Sequence, residues 1–171
     1  MRQQAIRTTA IVIFFLLTLA GKGFSNPWAI NEMIGKEASA FSLKNLNGQE
    51  VNLMDFHGKV ILLNFWATWC PPCIAEIPKL NDLRKRYAEK NFVIVAVSTD
   101  RSLSTVKKFI RKHPVSFIVL HDSSIKVSRK YNVFSIPTTF LIDKKGKIVE
   151  KFLGGHDWTA PGIRKKIDEL L

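Results

Sequence analysis

Cysteine is scarce in this chain of 171 residues, which contains only two, Cys70 and Cys73. Small exported domains that depend on disulfides for stability usually distribute a larger, even number of cysteines along the chain. A bond between two such close neighbours closes so short a loop that it restricts the unfolded chain far less than a long-range bridge would. Structural cross-linking is therefore a poor explanation for this pair.

Acidic residues are also few, with 14 Asp and Glu against 26 Lys and Arg and a formal net charge of +12. Such a surplus can attract nucleic acid or an anionic membrane surface. The basic residues are nevertheless spread over separate short groups, without the interleaved aromatic residues of a groove that binds single strands. These groups are residues 84–86, 107–108, 111–112, 144–145 and 164–166. We predict no nucleic-acid partner and attribute the charge to solubility and to loose attraction by membranes.

No apolar run reaches the roughly 20 residues that a membrane-spanning helix requires. The N-terminus has a shorter apolar run, residues 10–20, which follows Arg2 and Arg7 and ends before Lys22. A basic start, a short apolar core and small residues after it are typical of a secretory signal. Residues 1–25 are therefore predicted to be a signal peptide or an N-terminal membrane anchor. The remaining chain is predicted to be extracytoplasmic, in the bacterial periplasm.

Residues 35–171 alternate between strand-like and helix-like patterns without a Gly/Ser linker, which predicts one α/β domain. We expect a mixed central sheet flanked by helices on both faces. The predicted strands are residues 41–43, 50–53, 59–66, 92–97, 115–120, 138–142 and 147–152. The predicted helices are residues 69–90, 102–112, 122–131 and 159–171, the last with Thr159 as its N-cap and Pro161 in its first turn.

Cys70 and Cys73 stand where the predicted buried strand 59–66 passes into a helix. At a helix N-terminus, unpaired N–H groups and the helix dipole favour a thiolate over a thiol at Cys70. Cys73 lies one turn later on the same face, within reach of a mixed disulfide on Cys70. Pro71 and Pro72 fit the first turn because no intrahelical hydrogen bond is lost there. The spacing thus predicts a redox-active pair.

Other uses of two close thiols stay open. A zinc site usually takes four ligands, and the chain has no second C-x-x-C motif. The four histidines show no paired spacing: His57, His113, His121 and His156. Copper held by Cys70 and Cys73, with His121 or His156, is the main alternative and would make the chain a copper metallochaperone. A peroxidase is disfavoured, because it would need a lone cysteine in a Pro/Thr-rich loop.

The motif Trp69-Cys-Pro-Pro-Cys73 and the downstream Ile136-Pro-Thr-Thr-Phe-Leu-Ile142 resemble the thioredoxin superfamily. More narrowly, Pro78 after the motif, an extra helix and strand in residues 101–121 and a β-hairpin at residues 41–53 resemble the exported TlpA/ResA/DsbE-like branch. The resemblance implies a thioredoxin fold with an N-terminal β-hairpin and a central helix–strand insert. It also implies thiol–disulfide oxidoreductase activity that needs no cofactor besides the Cys70–Cys73 disulfide.

The resemblance assigns roles to individual residues. It implies that Cys70 is the exposed nucleophile and Cys73 the buried resolving thiol. Pro137 matches the cis-proline of the family, beside which the backbone at Ile136 pairs with the substrate chain. The predicted substrate-binding residues are Trp69, Pro71, Pro72, Ile136 and Pro137.

Asn64 marks a departure from thioredoxin, which has a buried aspartate at the matching place as proton acceptor for the resolving thiol. An amide cannot take that proton. Glu76, three residues after Cys73 on the same helix face, matches a glutamate of the exported branch and is the predicted replacement. Burial would raise its pKa towards neutrality, which suits proton exchange. The alternative is an ordinary surface glutamate.

The direction of electron flow is predicted from the two residues between the cysteines. Pro71 and Pro72 offer neither a donor nor a charge to stabilise the Cys70 thiolate, which favours a reductase of protein disulfides. A membrane electron donor would have to restore the dithiol, since the compartment is oxidising. The resemblance implies cytochrome c maturation as one task. Thr138 stands after Pro137, where the branch devoted to that task commonly has Glu, so other disulfide or copper-site substrates fit equally.

Overall fold

Seven strands and four α-helices make up residues 32–171, the part of the chain that this computed structural model describes. The strands are β1 Ser42–Asn45, β2 Glu50–Asn52, β3 Val60–Trp66, β4 Phe92–Ser98, β5 Ile118–His121, β6 Thr138–Ile142 and β7 Ile148–Leu153. The helices are α1 Pro71–Arg86, α2 Leu103–Lys112, α3 Lys126–Lys130 and α4 Pro161–Asp168, with a 3-10 helix at Leu53–Phe56. The signal or anchor predicted for residues 1–25 lies outside the described residues.

The strands form one mixed sheet in the order β2-β1-β5-β4-β3-β6-β7. Strands β3, β4 and β5 are parallel, whereas β1, β2, β6 and β7 join antiparallel to their neighbours. All residues of β3 and β4 are buried, as expected for central strands that are covered on both faces. The predicted thioredoxin fold is confirmed, including the β1–β2 hairpin and the α2–β5 insert.

Alternate residues of β3 point to opposite faces of the sheet, and helices cover both faces. Leu63 and Phe65 pack on one face with Val127 of α3 and with Tyr131, which follows that helix. Leu62 packs with residues of α1 and α4 on the other face, where α2 also joins the core. No helix within residues 32–171 is both long and apolar enough to cross a membrane.

Helix α1 is shorter than the predicted residues 69–90 because chain turns bound it at both ends. Cys70 has extended backbone and caps the helix, so Pro71 is its first residue. At the other end Tyr87 leaves the helix and packs its ring on Phe92, 5.1 Å between centroids, as the chain turns into β4. Tyr87 also donates its hydroxyl hydrogen to Asp168 of α4 over 2.8 Å.

Other boundaries also differ from the prediction, and three of them have a local cause in the backbone conformation or in side-chain hydrogen bonds. Helix α3 begins four residues after Asp122, since Ile125 has a left-handed φ of 52°. Strand β5 begins at Ile118 because Asn81 accepts the Ser116 N–H at 2.8 Å. The N-cap of α4 is Ala160, not Thr159, whose N–H and hydroxyl both donate to Asp157.

Candidate active site

A disulfide joins Cys70 and Cys73 at the N-terminus of α1, with their Cα atoms 5.3 Å apart. Cys70 is the N-cap, and its Sγ accepts a hydrogen bond from the Cys73 N–H at 3.3 Å. Pro71 and Pro72 occupy the first helical positions, where no N–H is required. The Cys70 sulfur therefore lies at the positive end of the helix dipole, the position that stabilises a thiolate.

Both sulfur-bearing residues are buried in this oxidised state. Cys73 is 2% exposed, as predicted, but Cys70 is only 4% exposed, so the expectation of an exposed Cys70 is wrong for the disulfide form. The cause is the capping geometry, which turns the Cys70 side chain back over the first turn of α1. There it joins an apolar cluster that includes Trp66 and Ile77.

The predicted substrate-binding residues lie in two separate segments, at the start of α1 and just before β6. The Ile136–Pro137 peptide bond is cis, which confirms that part of the prediction. Ile136, two residues before β6, packs against the apolar cluster that contains both cysteines. Trp69 precedes Cys70 and is 67% exposed. Pro71 and Pro72 are exposed as well, so part of the predicted set is accessible to a partner.

Asn64 is buried in the middle of β3 and takes part in a purely neutral contact. Its Nδ2 donates to Thr139 Oγ1 on the neighbouring strand β6 at 2.9 Å. Asn64 and Cys73 line the same space, which is too narrow to hold a water molecule. An amide held in this way cannot take a proton from the Cys73 thiol, so the acceptor has to be another residue.

Glu76, the residue predicted for this role, lies one helical turn after Cys73. It is 3% exposed, so the alternative of a surface glutamate is wrong. Its Oε1 accepts two hydrogen bonds, from the His156 N–H at 2.8 Å and from the Trp158 indole N–H at 2.9 Å. Burial raises the pKa of Glu76 to about 7, against the opposing effect of these two hydrogen bonds. Near neutral pH the carboxyl group can therefore both take and return a proton.

Asp100 is a site residue that the sequence analysis missed. It is buried after β4, and its carboxylate accepts hydrogen bonds from the Thr68 N–H at 3.0 Å and the Thr68 hydroxyl at 2.6 Å. Ser98 donates a third at 2.8 Å. These bonds hold the turn that leads from β3 to Cys70. The available signal was its place at the carboxyl end of a buried parallel strand, where functional residues collect.

We expect Asp100→Ala to lower the free energy of unfolding by about 3 kcal/mol, because it leaves buried donors of Thr68 and Ser98 without an acceptor. Urea titration of the oxidised protein measures the change. Asp82→Ala, at an exposed position of α1, is the matched control and should change stability little. Equal effects of the two substitutions would show that Asp100 does not hold the turn.

The histidines of the copper hypothesis have other contacts. His121 Nε2 lies 2.7 Å from the backbone oxygen of Asp100. The His156 ring packs against Phe152 and Trp158, at centroid distances of 5.3 and 5.8 Å. Within residues 32–171, no group of three or more His, Cys, Asp or Glu is arranged to hold a metal ion.

Comparison with known proteins gives consistent matches. Residues 34–151 match the AhpC/TSA family. The chain is 34% identical over 171 residues to the thiol-disulfide oxidoreductase ResA of Geobacillus kaustophilus, covering 99% of this chain and 97% of that one. It is 44% identical over 121 residues to ResA of Bacillus cereus, covering 71% and 70% of the two chains.

Solved structures show the same relationship. A protein from Chlorobium tepidum, proposed to be the thiol:disulfide interchange protein DsbE, superimposes with a TM-score of 0.76 at 34% identity. The superposition covers 80% of this chain and 96% of that one. The family match over residues 34–151 includes the C-x-x-C pair. The chain thus belongs to the AhpC/TSA family and is, like these relatives, a thioredoxin-fold thiol-disulfide oxidoreductase.

Proposed function

We propose that this oxidoreductase works outside the cytoplasm and reduces disulfides of other proteins. Cys70 is the nucleophile, Cys73 the resolving thiol and Glu76 the proton acceptor. The observation that carries this proposal is the buried Glu76, whose pKa is raised to about 7 one turn after Cys73. A carboxyl group with a pKa of about 7 can take a proton from a buried thiol at neutral pH. The amide of Asn64 on β3 cannot.

The first step is attack by the Cys70 thiolate on one sulfur of the substrate disulfide. A bond forms between Cys70 and that sulfur, the substrate disulfide breaks, and the other substrate sulfur leaves as a thiolate that takes a proton. The helix N-terminus and the Cys73 N–H favour the attacking thiolate at Cys70. Ile136, beside the cis bond to Pro137, offers its backbone to align the substrate chain.

The second step resolves the mixed disulfide. Glu76 takes the Cys73 proton, and the Cys73 sulfur attacks Cys70, which releases the second substrate sulfur as a thiolate. Glu76 then gives the proton to this thiolate. The Cys70–Cys73 disulfide of the structure is the product of this step. In total two electrons and two protons pass to the substrate. A membrane electron donor would return two electrons to the pair, since an exported reductase works in an oxidising compartment.

The substrate class that fits is an exported protein with an accessible disulfide, and cytochrome c maturation is one task of this kind. The extracytoplasmic placement is supported by the basic and apolar N-terminal sequence, residues 1–25. The reducing direction is supported by Pro71 and Pro72, which place no donor or charge between the cysteines. When the thiolate of the reduced cysteine pair is stabilised less strongly, the disulfide of that pair is a weaker oxidant.

The reduction potential tests this direction. The purified protein is equilibrated with glutathione or dithiothreitol, and the change in fluorescence of Trp66 and Trp69 reports the redox state. We expect a potential of about −220 mV or below, the range of reductases such as glutaredoxins and thioredoxin. A value near about −120 mV would instead identify an oxidant that introduces disulfides into exported proteins.

A further inference from the structure

An apolar groove lies directly beside the active-site loops. Phe134 is 91% exposed, Trp69 is 67% exposed, and both line a groove of about 400 Å³. Ile125, Val133 and Ile136 add further apolar surface to it. Single exposed apolar side chains are ordinary on a protein surface, but a contiguous group with a polar rim marks an interaction site.

The groove wall is held in place by hydrogen bonds rather than by the packing of Phe134. Ser128 donates its N–H and its hydroxyl to Asp122 Oδ2, both at 2.9 Å. The Val133 N–H donates to the backbone carbonyl oxygen of Ser128 at 2.9 Å. Phe134 therefore projects from a fixed loop while it adds almost nothing to the core. Its large apolar side chain is presented to a partner.

The groove is continuous with the place where substrate must bind. Trp69 directly precedes Cys70, and Ile136 directly precedes the cis Pro137. An extended chain advances about 3.3 Å per residue, so residues within two or three positions of a cysteine bonded to Cys70 reach the groove. The occupant is thus the segment of the substrate protein that surrounds the exchanging cysteine.

The charge of the groove indicates which charge that substrate segment carries. Arg129 lines the groove, and among its described lining residues there is no carboxylate. Asp122 lies behind Ser128 but is buried and is engaged by that residue. The whole chain carries a net charge of +12. Complementary charges orient a partner and speed its encounter, so an acidic segment is favoured over a basic one.

We propose that this groove selects substrates in which the exchanging cysteine is flanked by a bulky apolar residue and an acidic residue. The apolar side chain enters between Trp69 and Phe134, and the carboxylate pairs with Arg129. This inference rests on the proposed reductase function and adds the class of substrate sequence. Phe134 and Arg129 are specificity residues, since they act on the flanking residues and not on the reacting sulfurs.

Three matched peptides test the proposal with the full-length reduced protein. Each has one cysteine in a mixed disulfide with thionitrobenzoate, whose release is followed by absorbance. The first peptide has Phe two residues from the cysteine on either side and Glu next to it; the second replaces Phe by Ser, and the third replaces Glu by Lys. The reaction converts the dithiol to the Cys70–Cys73 disulfide and the probe to two thiols, so electrons and protons balance.

We expect the first peptide to react about tenfold faster than the second, because burial of a Phe side chain favours its complex with the protein. Phe134→Ser should remove most of this difference, and Arg129→Glu should reverse the preference between Glu and Lys peptides. Met54→Ser, at another exposed apolar position, is the control and should keep both preferences.

Equal rates for the three peptides with the wild-type protein would overturn the groove proposal while leaving the reductase function intact. Equal losses in Phe134→Ser and Met54→Ser would overturn it as well. Failure to react with any of the peptides, or with thionitrobenzoate bound to a small thiol, would overturn the reductase function and this inference together.

Discussion

Cys70→Ser is expected to abolish reduction of protein disulfides, with kcat/KM falling by more than about 10³-fold, because the attacking sulfur is lost. Cys73→Ser is expected to lose turnover as completely but to keep the first step. The Cys70 thiolate still attacks, and nothing resolves the mixed disulfide. Mass spectrometry after mixing with a disulfide-bonded peptide should show one peptide adduct per protein in Cys73→Ser and none in Cys70→Ser.

Both variants remove the same disulfide, and each differs from the wild-type protein by one oxygen-for-sulfur exchange. Each variant therefore controls for the stability effect of the other. Cys70 and Cys73 are both buried in the oxidised protein, which makes the two losses of packing comparable. An adduct in Cys70→Ser and none in Cys73→Ser would reverse the assignment of nucleophile and resolving thiol. Adducts in neither would contradict the thiol-exchange mechanism itself.

Glu76→Gln is expected to slow resolution of the mixed disulfide by about 10²-fold, the usual contribution of a positioned general base. In the wild-type protein this step should accelerate as the pH rises through about 7, where Glu76 loses its proton. The glutamine side chain at position 76 does not ionise, so the variant should lose this inflection. Stopped-flow measurement of peptide release from the mixed disulfide, across the pH range, tests the expectation.

The raised pKa of Glu76 also predicts how stability changes with pH. An unfolded glutamate loses its proton around pH 4.5, whereas the folded protein keeps it to about pH 7. The folded state therefore binds more protons in this window, and stability falls as the pH rises through it. The contribution to stability is about 3 kcal/mol; it is fully present below pH 4.5 and is lost above the folded pKa. Glu76→Gln should remove this dependence, while Glu89→Gln at an exposed position should keep it.

Trp158→Phe provides a second check on Glu76 without touching the carboxyl group. The Trp158 N–H donates to Glu76 Oε1 at 2.9 Å and lowers the pKa of this carboxyl group. Its removal should move the inflection of the resolution rate to higher pH. An inflection that stays in Glu76→Gln, or that does not move in Trp158→Phe, would assign the titration to another group.

Local sequence patterns predicted most of the sheet, and they predicted the start of α1 to within two residues. A nearly continuous apolar run over residues 59–66 predicts a central strand, and β3 occupies Val60–Trp66. The start of α3 could not be read in the same way. It depends on Ile125 in a left-handed conformation and on Asp122, which accepts the Ser128 N–H. Neither leaves a trace in hydrophobic periodicity.

The active site also combines features that the local sequence determines with features that depend on tertiary contacts. Cys70, Cys73 and the two prolines between them are adjacent in the chain, so the sequence by itself predicted the redox pair. The environment of Glu76 was decided only by tertiary structure. Its two donors, on His156 and Trp158, lie 80 and 82 residues further along the chain.

The turn before Cys70 is likewise held by Asp100, 32 residues from Thr68. Helix dipoles and cysteine spacing act over one turn of chain, so the sequence determined the presence and type of the active site. Burial and hydrogen bonding depend on which distant segments meet. The fold therefore decided the pKa of Glu76, the burial of Cys70 and the groove beside the active site.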